Sequence, residues 1–292
     1  MTSNKLSQNQ IQPIYKAKMS GFIVSALAKT ALLQICLISL ILVNITSYPL
    51  QAQTQVTQPA KKLVPNTQNR LTQLKFPRNG APIGRRQGGA RRNGCSDLMK
   101  SPITALVPGE EISANVSKSF LTFTVSEYPT FWVYLPELPR NVRSGEFVFQ
   151  DEKGKDIYRT PLTLPERSGV IGISLPSSQQ YALKTDNKYQ WYFKVFCGDT
   201  QTTSEYYYVK AWVQRVPLTS KLESQLKTAK PRAYTAYAVN HIWQDAITNL
   251  ADMRRTNSAS RVLGDNWTNL LISVGLKEFA SAPIVGRYNL KK

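Results

Sequence analysis

The chain has 292 residues, of which 42% are hydrophobic and 19% are charged, and its formal net charge at pH 7 is +19. This composition excludes a disordered polyelectrolyte and a fibrous repeat protein, and the length predicts one domain with appendages or two small domains. With one His and three Cys, the chain lacks the residues for common zinc clusters or a His-rich catalytic centre, so we expect no metal and no cofactor.

The positive charge is concentrated near the N-terminus. The first acidic residue is Asp97, and 13 Lys and Arg residues precede it. From Asp97 onward, 24 basic residues oppose 18 acidic ones, so this part of the chain is only mildly basic. The isoelectric point of the whole chain is therefore a poor guide to the surface of the folded part.

Residues 1–52 have the layout of a secretory signal peptide. Four lysines precede an apolar segment from Ala31 to Ile45, and Ala52 provides the small residue that a signal peptidase requires. The alternative is a retained membrane anchor, because a longer apolar stretch could span a bilayer. Either interpretation predicts export to the periplasm or the extracellular space, since positive flanking charge keeps the N-terminal side in the cytoplasm.

Residues 53–79 are rich in Gln, Thr, Pro and Lys and predict a flexible linker. After it, glycines alternate with four arginines, whose guanidinium groups suit polyanions through charge and bidentate hydrogen bonds: Arg85, Arg86, Arg91 and Arg92. Export argues against nucleic acid and favours an anionic envelope polymer, lipid head groups or an acidic protein. The alternative is a structural strand whose arginines pair with carboxylates and whose glycines permit close packing.

Short segments of alternating polarity fill residues 80–216. Leu121, Phe123 and Val125 share one face of a strand, and the segment from Tyr189 to Cys197 alternates in the same way. No helical pattern separates these segments, which predicts an antiparallel β-sandwich with an all-β core.

Residues 217–292 change to helical periodicity. Ser220 and Glu223 fit a capping box, and an apolar stripe runs through a helix from Ala233 to about Arg255. A last helix is expected to be capped by Asp265 or Asn266 and to end at Gly275. We therefore predict a C-terminal α-helical hairpin that packs on the sandwich or on a partner.

Two groups of residues suggest carbohydrate chemistry. Trp132, Tyr134 and Tyr207 could form an aromatic platform for sugar rings, or they could be core residues. Asp151 and Asp156 flank one turn and could serve a glycan hydrolase as a carboxylate pair, or they could simply solubilise the turn.

His241 and Asp245 lie one helical turn apart on the predicted long helix. A carboxylate at this spacing can orient an imidazole, but the sequence offers no nucleophile beside them. We interpret them as a pair on the surface of the helix.

Cleavage after Ala52 would leave two cysteines, Cys95 and Cys197. In an oxidising compartment they could close one long loop, which chain entropy values at up to ~4.7 kcal/mol. The alternative is two buried free thiols.

Several spaced motifs occur together in a fixed order, and the chain resembles the cyanobacterial family of exported proteins called domain of unknown function 928. The motifs include Arg85-x-x-Gly88-Gly89-x-Arg91-x-x-x-Cys95, Pro129-Thr-Phe-Trp-Val-Tyr-Leu-Pro136, Gly169-Val-Ile-Gly-Ile-x-Leu-Pro176 and Tyr237-Ala-x-x-x-Ile-Trp243-x-Asp245-Ala. The resemblance implies a disulfide between Cys95 and Cys197 and an envelope-facing location, but it implies no activity because the family has none assigned.

These observations predict an exported, non-catalytic interaction protein of the cell envelope. Its expected partner is a protein or an anionic envelope polymer, with no nucleic acid, and it would meet a membrane only through an uncleaved N-terminal segment. The alternative function is an envelope glycan hydrolase.

Overall fold

The computed structural model describes residues 71, 74–78, 84–91, 101–113, 116–197 and 205–291, so the predicted signal segment lies outside the described residues. The strands are β1 (Arg85–Arg91), β2 (Thr104–Ala105), β3 (Gly109–Ser113), β4 (Val116–Ser119), β5 (Leu121–Thr124), β6 (Thr130–Leu135), β7 (Ser144–Asp151), β8 (Asp156–Thr163), β9 (Gly169–Ser174), β10 (Lys188–Phe196), β11 (Tyr206–Arg215) and β12 (Ile284–Asn289). The helices are α1 (Ser220–Ala229), α2 (Ala233–Val239), α3 (Trp243–Thr256) and α4 (Arg261–Ile272).

The predicted β-rich body is confirmed. Nine strands follow one another in a sheet in the order β12-β9-β6-β2-β1-β11-β10-β7-β8, and β5 also pairs with β11. The prediction of purely antiparallel pairing is wrong for two pairs, because β5 runs parallel to β11 and β12 runs parallel to β9. In each of these pairs the two strands are far apart in the chain, and parallel strands must be joined by a long crossover connection.

Contacts between aromatic rings show that the sheet curls. The Phe131 ring of β6 lies 5.0 Å from that of Trp191 in β10 and 5.4 Å from that of Phe147 in β7. Five strand spacings separate β6 from β7 in the sheet order, which would be roughly 24 Å in a flat sheet. The predicted sandwich is therefore not confirmed, since a single continuous sheet bends until its inner faces pack together.

Helices cover the other side of the sheet near β6 and β9. All six residues of β9 are buried, as expected for a strand covered on both faces. The indole nitrogen of Trp132 in β6 donates to Thr248 Oγ1 of α3 at 2.9 Å, and that of Trp243 in α3 donates to the Leu106 carbonyl at 2.8 Å. These hydrogen bonds satisfy the polar atoms of two indoles that are otherwise in the core.

The helical region contains four helices in the described residues, so the two-helix hairpin is wrong. The expected helix from Ala233 to Arg255 breaks between Val239 and Trp243, where His241 has a φ of 61°. The Asn240 side chain donates to the Ala236 carbonyl at 2.8 Å and satisfies a group at the end of α2.

Two further features of this region differ from expectation. His241 precedes α3, so it does not form the predicted helix-surface pair with Asp245. The region also ends in a strand, β12, which the helical pattern does not predict. Among the described residues, no helix is both long and apolar enough to cross a membrane.

We predict that Phe131→Ala lowers the free energy of unfolding by about 3 to 5 kcal/mol, because it leaves a cavity where β6 packs against β7 and β10. Ile112→Ala is a control, since Ile112 is 52% exposed and should change stability by no more than about 0.5 kcal/mol. Denaturant titration measures both values. Equal losses for the two variants would contradict this account of the curl.

Candidate interface on the outer face of the sheet

The two adjacent arginines of β1 point to opposite sides of the sheet. Arg86 is 2% exposed, and its Nη1 donates to the Val274 carbonyl at 2.8 Å while its Nη2 pairs with Glu111 at 3.1 Å. Burial lowers the pKa of the Arg86 guanidinium, and the ion pair with Glu111 opposes this effect. Val274 follows the C-terminal end of α4, where the helix dipole favours a cation. Arg86 therefore connects β1, β3 and the end of α4.

Arg85 lies on the outer side of the sheet. Its guanidinium carbon is 5.6 Å from the centre of the Tyr208 ring, within the range of a cation–π interaction. The backbone of Arg91 pairs with Tyr206, whereas Arg92 lies outside the described residues. The four predicted arginines thus do not act as one group, because Arg86 is part of the interior.

The glycines between these arginines permit β1 to pack closely against its neighbours. A Cβ atom on Gly84 would lie 2.8 Å from the Lys210 carbonyl oxygen, and one on Gly88 would lie 2.5 Å from Cγ1 of Ile103. Both distances are shorter than a side chain tolerates. The Arg/Gly pattern is thereby explained by packing at Gly84, Arg86 and Gly88, while Arg85 remains accessible for binding.

The predicted aromatic platform is not assembled on one surface. Trp132 is 1% exposed and Tyr207 is 9% exposed, so neither presents a ring to solvent. Tyr134 packs against Phe279, with ring centres 4.6 Å apart. Trp132 and Tyr207 are core residues, which was the alternative interpretation, and Tyr134 is partly exposed and packs against the core.

The carboxylates of the β7–β8 turn are engaged within the hairpin. One oxygen of Asp151 accepts hydrogen bonds from the backbone amides of Lys153 and Lys155, both at 2.9 Å. Asp156 pairs with Arg159 at 2.8 Å, and this hydrogen bond lowers the pKa of Asp156. These contacts stabilise the turn and favour the structural interpretation of Asp151 and Asp156.

A different set of residues forms a mixed cationic and aromatic surface, here called the cationic tyrosine face. Strand pairing places Tyr192 beside Lys210 and Lys194 beside Tyr208 on β10 and β11. The ammonium of Lys210 is 5.3 Å from the Tyr192 ring, and that of Lys194 is 5.1 Å from the Tyr206 ring. The face comprises Arg85, Tyr192, Lys194, Tyr206, Tyr208 and Lys210, all of which are partly exposed.

A shallow pocket of about 290 Å³ lies on this face and also contacts Arg159 of β8. Glu146 pairs with Lys194 at 2.6 Å and with Arg159 at 2.7 Å, which neutralises part of the charge. The cations on and beside this face are Arg85, Arg159, Lys194 and Lys210, and the carboxylates are Glu146 and Asp156. Cations therefore outnumber carboxylates by four to two. The surface is therefore positive and offers flat rings between its charges.

Sequence reasoning missed this face because it selected Tyr207 rather than its neighbours. The useful signal was the alternation in Tyr206-x-Tyr208-x-Lys210 and in Tyr192-x-Lys194, which puts each set on one face of its strand. Which face is exposed depends on the curl. Among the described residues, no group of three His, Cys, Asp or Glu residues is arranged to hold a metal ion.

We predict opposite outcomes for the two adjacent arginines. Arg86→Ala should lower the free energy of unfolding by about 2 to 4 kcal/mol, because it removes a buried side chain and leaves buried carbonyls without a donor. Arg85→Ala should change it by no more than about 0.5 kcal/mol. Thermal and denaturant unfolding of both variants measures the difference, and a stable Arg86→Ala variant would contradict the role of Arg86.

Comparison with known proteins agrees with the motifs noted above. The family model described as Domain of Unknown Function (DUF928) matches residues 87–284, which include β2 to β11 and all four helices. A comparison with curated proteins finds no match. Because the matched residues are more than half of the chain, this protein belongs to the DUF928 family.

Proposed function

We propose that this protein is an exported, non-catalytic binding protein of the cell envelope that holds an anionic glycan on the cationic tyrosine face. The observation that carries the proposal is the alternation of Lys and Tyr side chains across β10 and β11. Sugar rings stack on tyrosine rings, and glycan carboxylates or sulfates pair with the intervening cations.

The ligand is a polymer rather than a small anion. A single exposed ion pair contributes only about 0.2 to 1 kcal/mol, so one Lys or Arg cannot hold an anion tightly. Lys194, Lys210 and Arg85 are spread over three neighbouring strands, and a chain of anionic sugars can engage all of them at once. Linked contacts of this kind raise affinity without any single strong contact.

Export is the second part of the proposal and rests on the signal-like layout of residues 1–52. An exported protein encounters the acidic polymers of the envelope rather than nucleic acid, so these polymers are the expected ligands of this face. A disulfide between Cys95 and Cys197 is part of the same proposal.

The strand register supports that disulfide. Arg91 at the end of β1 and Phe196 at the end of β10 both pair with Tyr206, so the two strands end beside the first residue of β11, on opposite sides of that strand. Cys197 directly follows Phe196, and Cys95 follows Arg91 by four residues. Cys95 itself lies outside the described residues.

Binding of a soluble uronate polymer, alginate oligosaccharide, tests the proposed ligand. We expect Lys210→Glu to weaken binding at least about tenfold and Tyr208→Ala at least about fivefold, because the first reverses a charge and the second removes a stacking ring on the same face. Calorimetric titration of the mature chain at about 50 and 300 mM salt gives the affinities and their dependence on ionic strength.

Lys221→Glu is the matched control, since it makes the same charge change at an exposed position on α1. It should alter affinity less than about twofold. Equal effects of Lys210→Glu and Lys221→Glu, or alginate binding that ignores salt, would overturn the proposal.

For the disulfide, we expect mature protein recovered from the envelope to alkylate only after reduction, with a mass increase for two cysteines. Cys95→Ser should also lower the unfolding temperature under oxidising conditions, because the loop constraint is lost. Two thiols that alkylate without reductant would contradict the pairing.

A further inference from the structure

A second pocket, of about 270 Å³, lies between α3 and the loop that joins β5 to β6. Its lining shares no residue with the cationic tyrosine face. Where that face is basic, this pocket contains the carboxylates of Asp245 and Asp252 and a single arginine, Arg287. The two sites therefore suit ligands of different charge.

Asp245 lies in the first turn of α3, where the helix dipole and its own backbone amide partly stabilise the carboxylate, but no described cation pairs with it. Its Oδ2 accepts hydrogen bonds from Thr124 Oγ1 at 2.7 Å and from the Val125 amide at 3.2 Å, but it forms no ion pair with a described residue. Burial raises its pKa to about 6 despite these hydrogen bonds. A carboxylate held in this way gains from any further hydrogen-bond donor that enters the pocket.

The other charged groups of the pocket neutralise one another. Arg287 of β12 donates to both oxygens of Asp252, at 2.8 and 2.6 Å, and Arg255 also lies 3.5 Å from Asp252. The titratable side chains that line the pocket beside Asp245 are the uncharged phenols of Tyr237 and Tyr128. Asp245 is thus available to a ligand, whereas Asp252 is already paired.

Two amides beside Asp245 add one acceptor and one donor. Gln244 is 2% exposed and donates its Nε2 to Thr122, and its Oε1 accepts no hydrogen bond from another described residue. Asn249 accepts the Tyr234 amide on its Oδ1 at 2.9 Å, which leaves its Nδ2 as a donor. Both side chains line the pocket.

This mixture distinguishes between classes of ligand. A hydroxyl group both donates and accepts, so neighbouring hydroxyls of a sugar can bond to the carboxylate, the amide oxygen and the amide nitrogen together. A protonated amine would pair with Asp245 but would leave the Asn249 donor unused, and a phosphate would be repelled by Asp245. The rings of Tyr128 and Tyr237 add flat apolar surface suited to the carbon face of a sugar.

The size and rigidity of the pocket agree with a small ligand. Pockets for drug-sized molecules occupy about 300 to 1,000 Å³, so 270 Å³ fits little more than one ring. Arg287 also donates to Thr130 Oγ1 at 2.9 Å and to Ser174 Oγ at 2.8 Å, which fixes one side of the pocket to β6 and β9. A wall already held in place loses little entropy on binding.

We propose that this pocket binds one neutral monosaccharide unit, through hydrogen bonds from its hydroxyls to Asp245 and Gln244 and from Asn249 to the sugar. The inference does not depend on the anionic glycan proposed for the other face, because the two sets of residues do not overlap.

Saturation-transfer NMR and calorimetry on the full mature chain test the proposal with four probes: the methyl glycosides of glucose, galactose, mannose and N-acetylglucosamine. Putrescine and inorganic phosphate represent the competing ligand classes. We expect at least one glycoside to bind and Asp245→Ala to weaken it at least about tenfold, since an ionised acceptor is lost. Asp265→Asn, at an exposed position on α4, should leave binding unchanged.

Acidity provides a separate readout. Hydroxyl donors bind the ionised carboxylate better than the protonated one. The ionised fraction of a group with a pKa of about 6 falls from about 0.9 at pH 7 to about 0.1 at pH 5. The affinity for the glycoside should therefore fall about tenfold over this range. Asp245→Asn keeps an acceptor for Thr124 and should fold, and its affinity should be independent of pH over this range.

Several results would overturn the inference. Binding of putrescine or phosphate without any glycoside would assign the pocket to another class of ligand, and absence of binding by all four glycosides would exclude a sugar site. Glycoside binding that survives Asp245→Ala would locate it elsewhere. Lys210→Glu separates the two proposals, because it should weaken alginate binding and leave glycoside binding intact.

Discussion

The contact of Phe131 with Trp191 and the phenylalanines of β7 determines the shape of the sheet. It joins strands that lie four and five spacings apart in the sheet order, and it does so by burying four aromatic rings in one cluster. Burial of this much apolar surface is the dominant favourable term in folding. Once the sheet curls around the cluster, the inner faces form the core, and the side chains on the other face of β10 and β11 are left at the surface.

Arg86 adds a polar constraint to this apolar one. Burying a guanidinium is costly unless it finds hydrogen-bond partners, and here Nη2 binds a carboxylate of β3 and Nη1 a carbonyl at the end of α4, while Nε has no partner among the described residues. The first strand of the sheet is in this way tied to the helical region far along the chain. Arg287 makes an equivalent connection from the last strand, through Asp252 of α3 and Ser174 of β9.

The two candidate sites follow from how these constraints distribute charge. On the outer face of β10 and β11, period-2 alternation places cations beside tyrosine rings, which suits an extended anionic polymer. At the junction of α3 with the β5–β6 loop, the fold encloses the carboxylate of Asp245, which pairs with none of the described cations and suits a small donor-rich ligand. Under the two proposals made above, the protein recognises a glycan both along its chain and at a single sugar unit.

Local pattern was enough to determine the β-rich body, the helical region after Pro217 and the family, because strand alternation, apolar stripes and spaced motifs are properties of short segments. It could not decide which side of a strand faces solvent, so Tyr207 was chosen instead of Tyr206 and Tyr208. Nor could it separate Arg85 from Arg86 or bring Asp245 next to Thr124, because these outcomes depend on strand pairing and on contacts between residues far apart in the chain. The curl of the sheet, the break at His241 and both candidate sites were decided by tertiary packing alone, since only packing determines which surfaces are left uncovered.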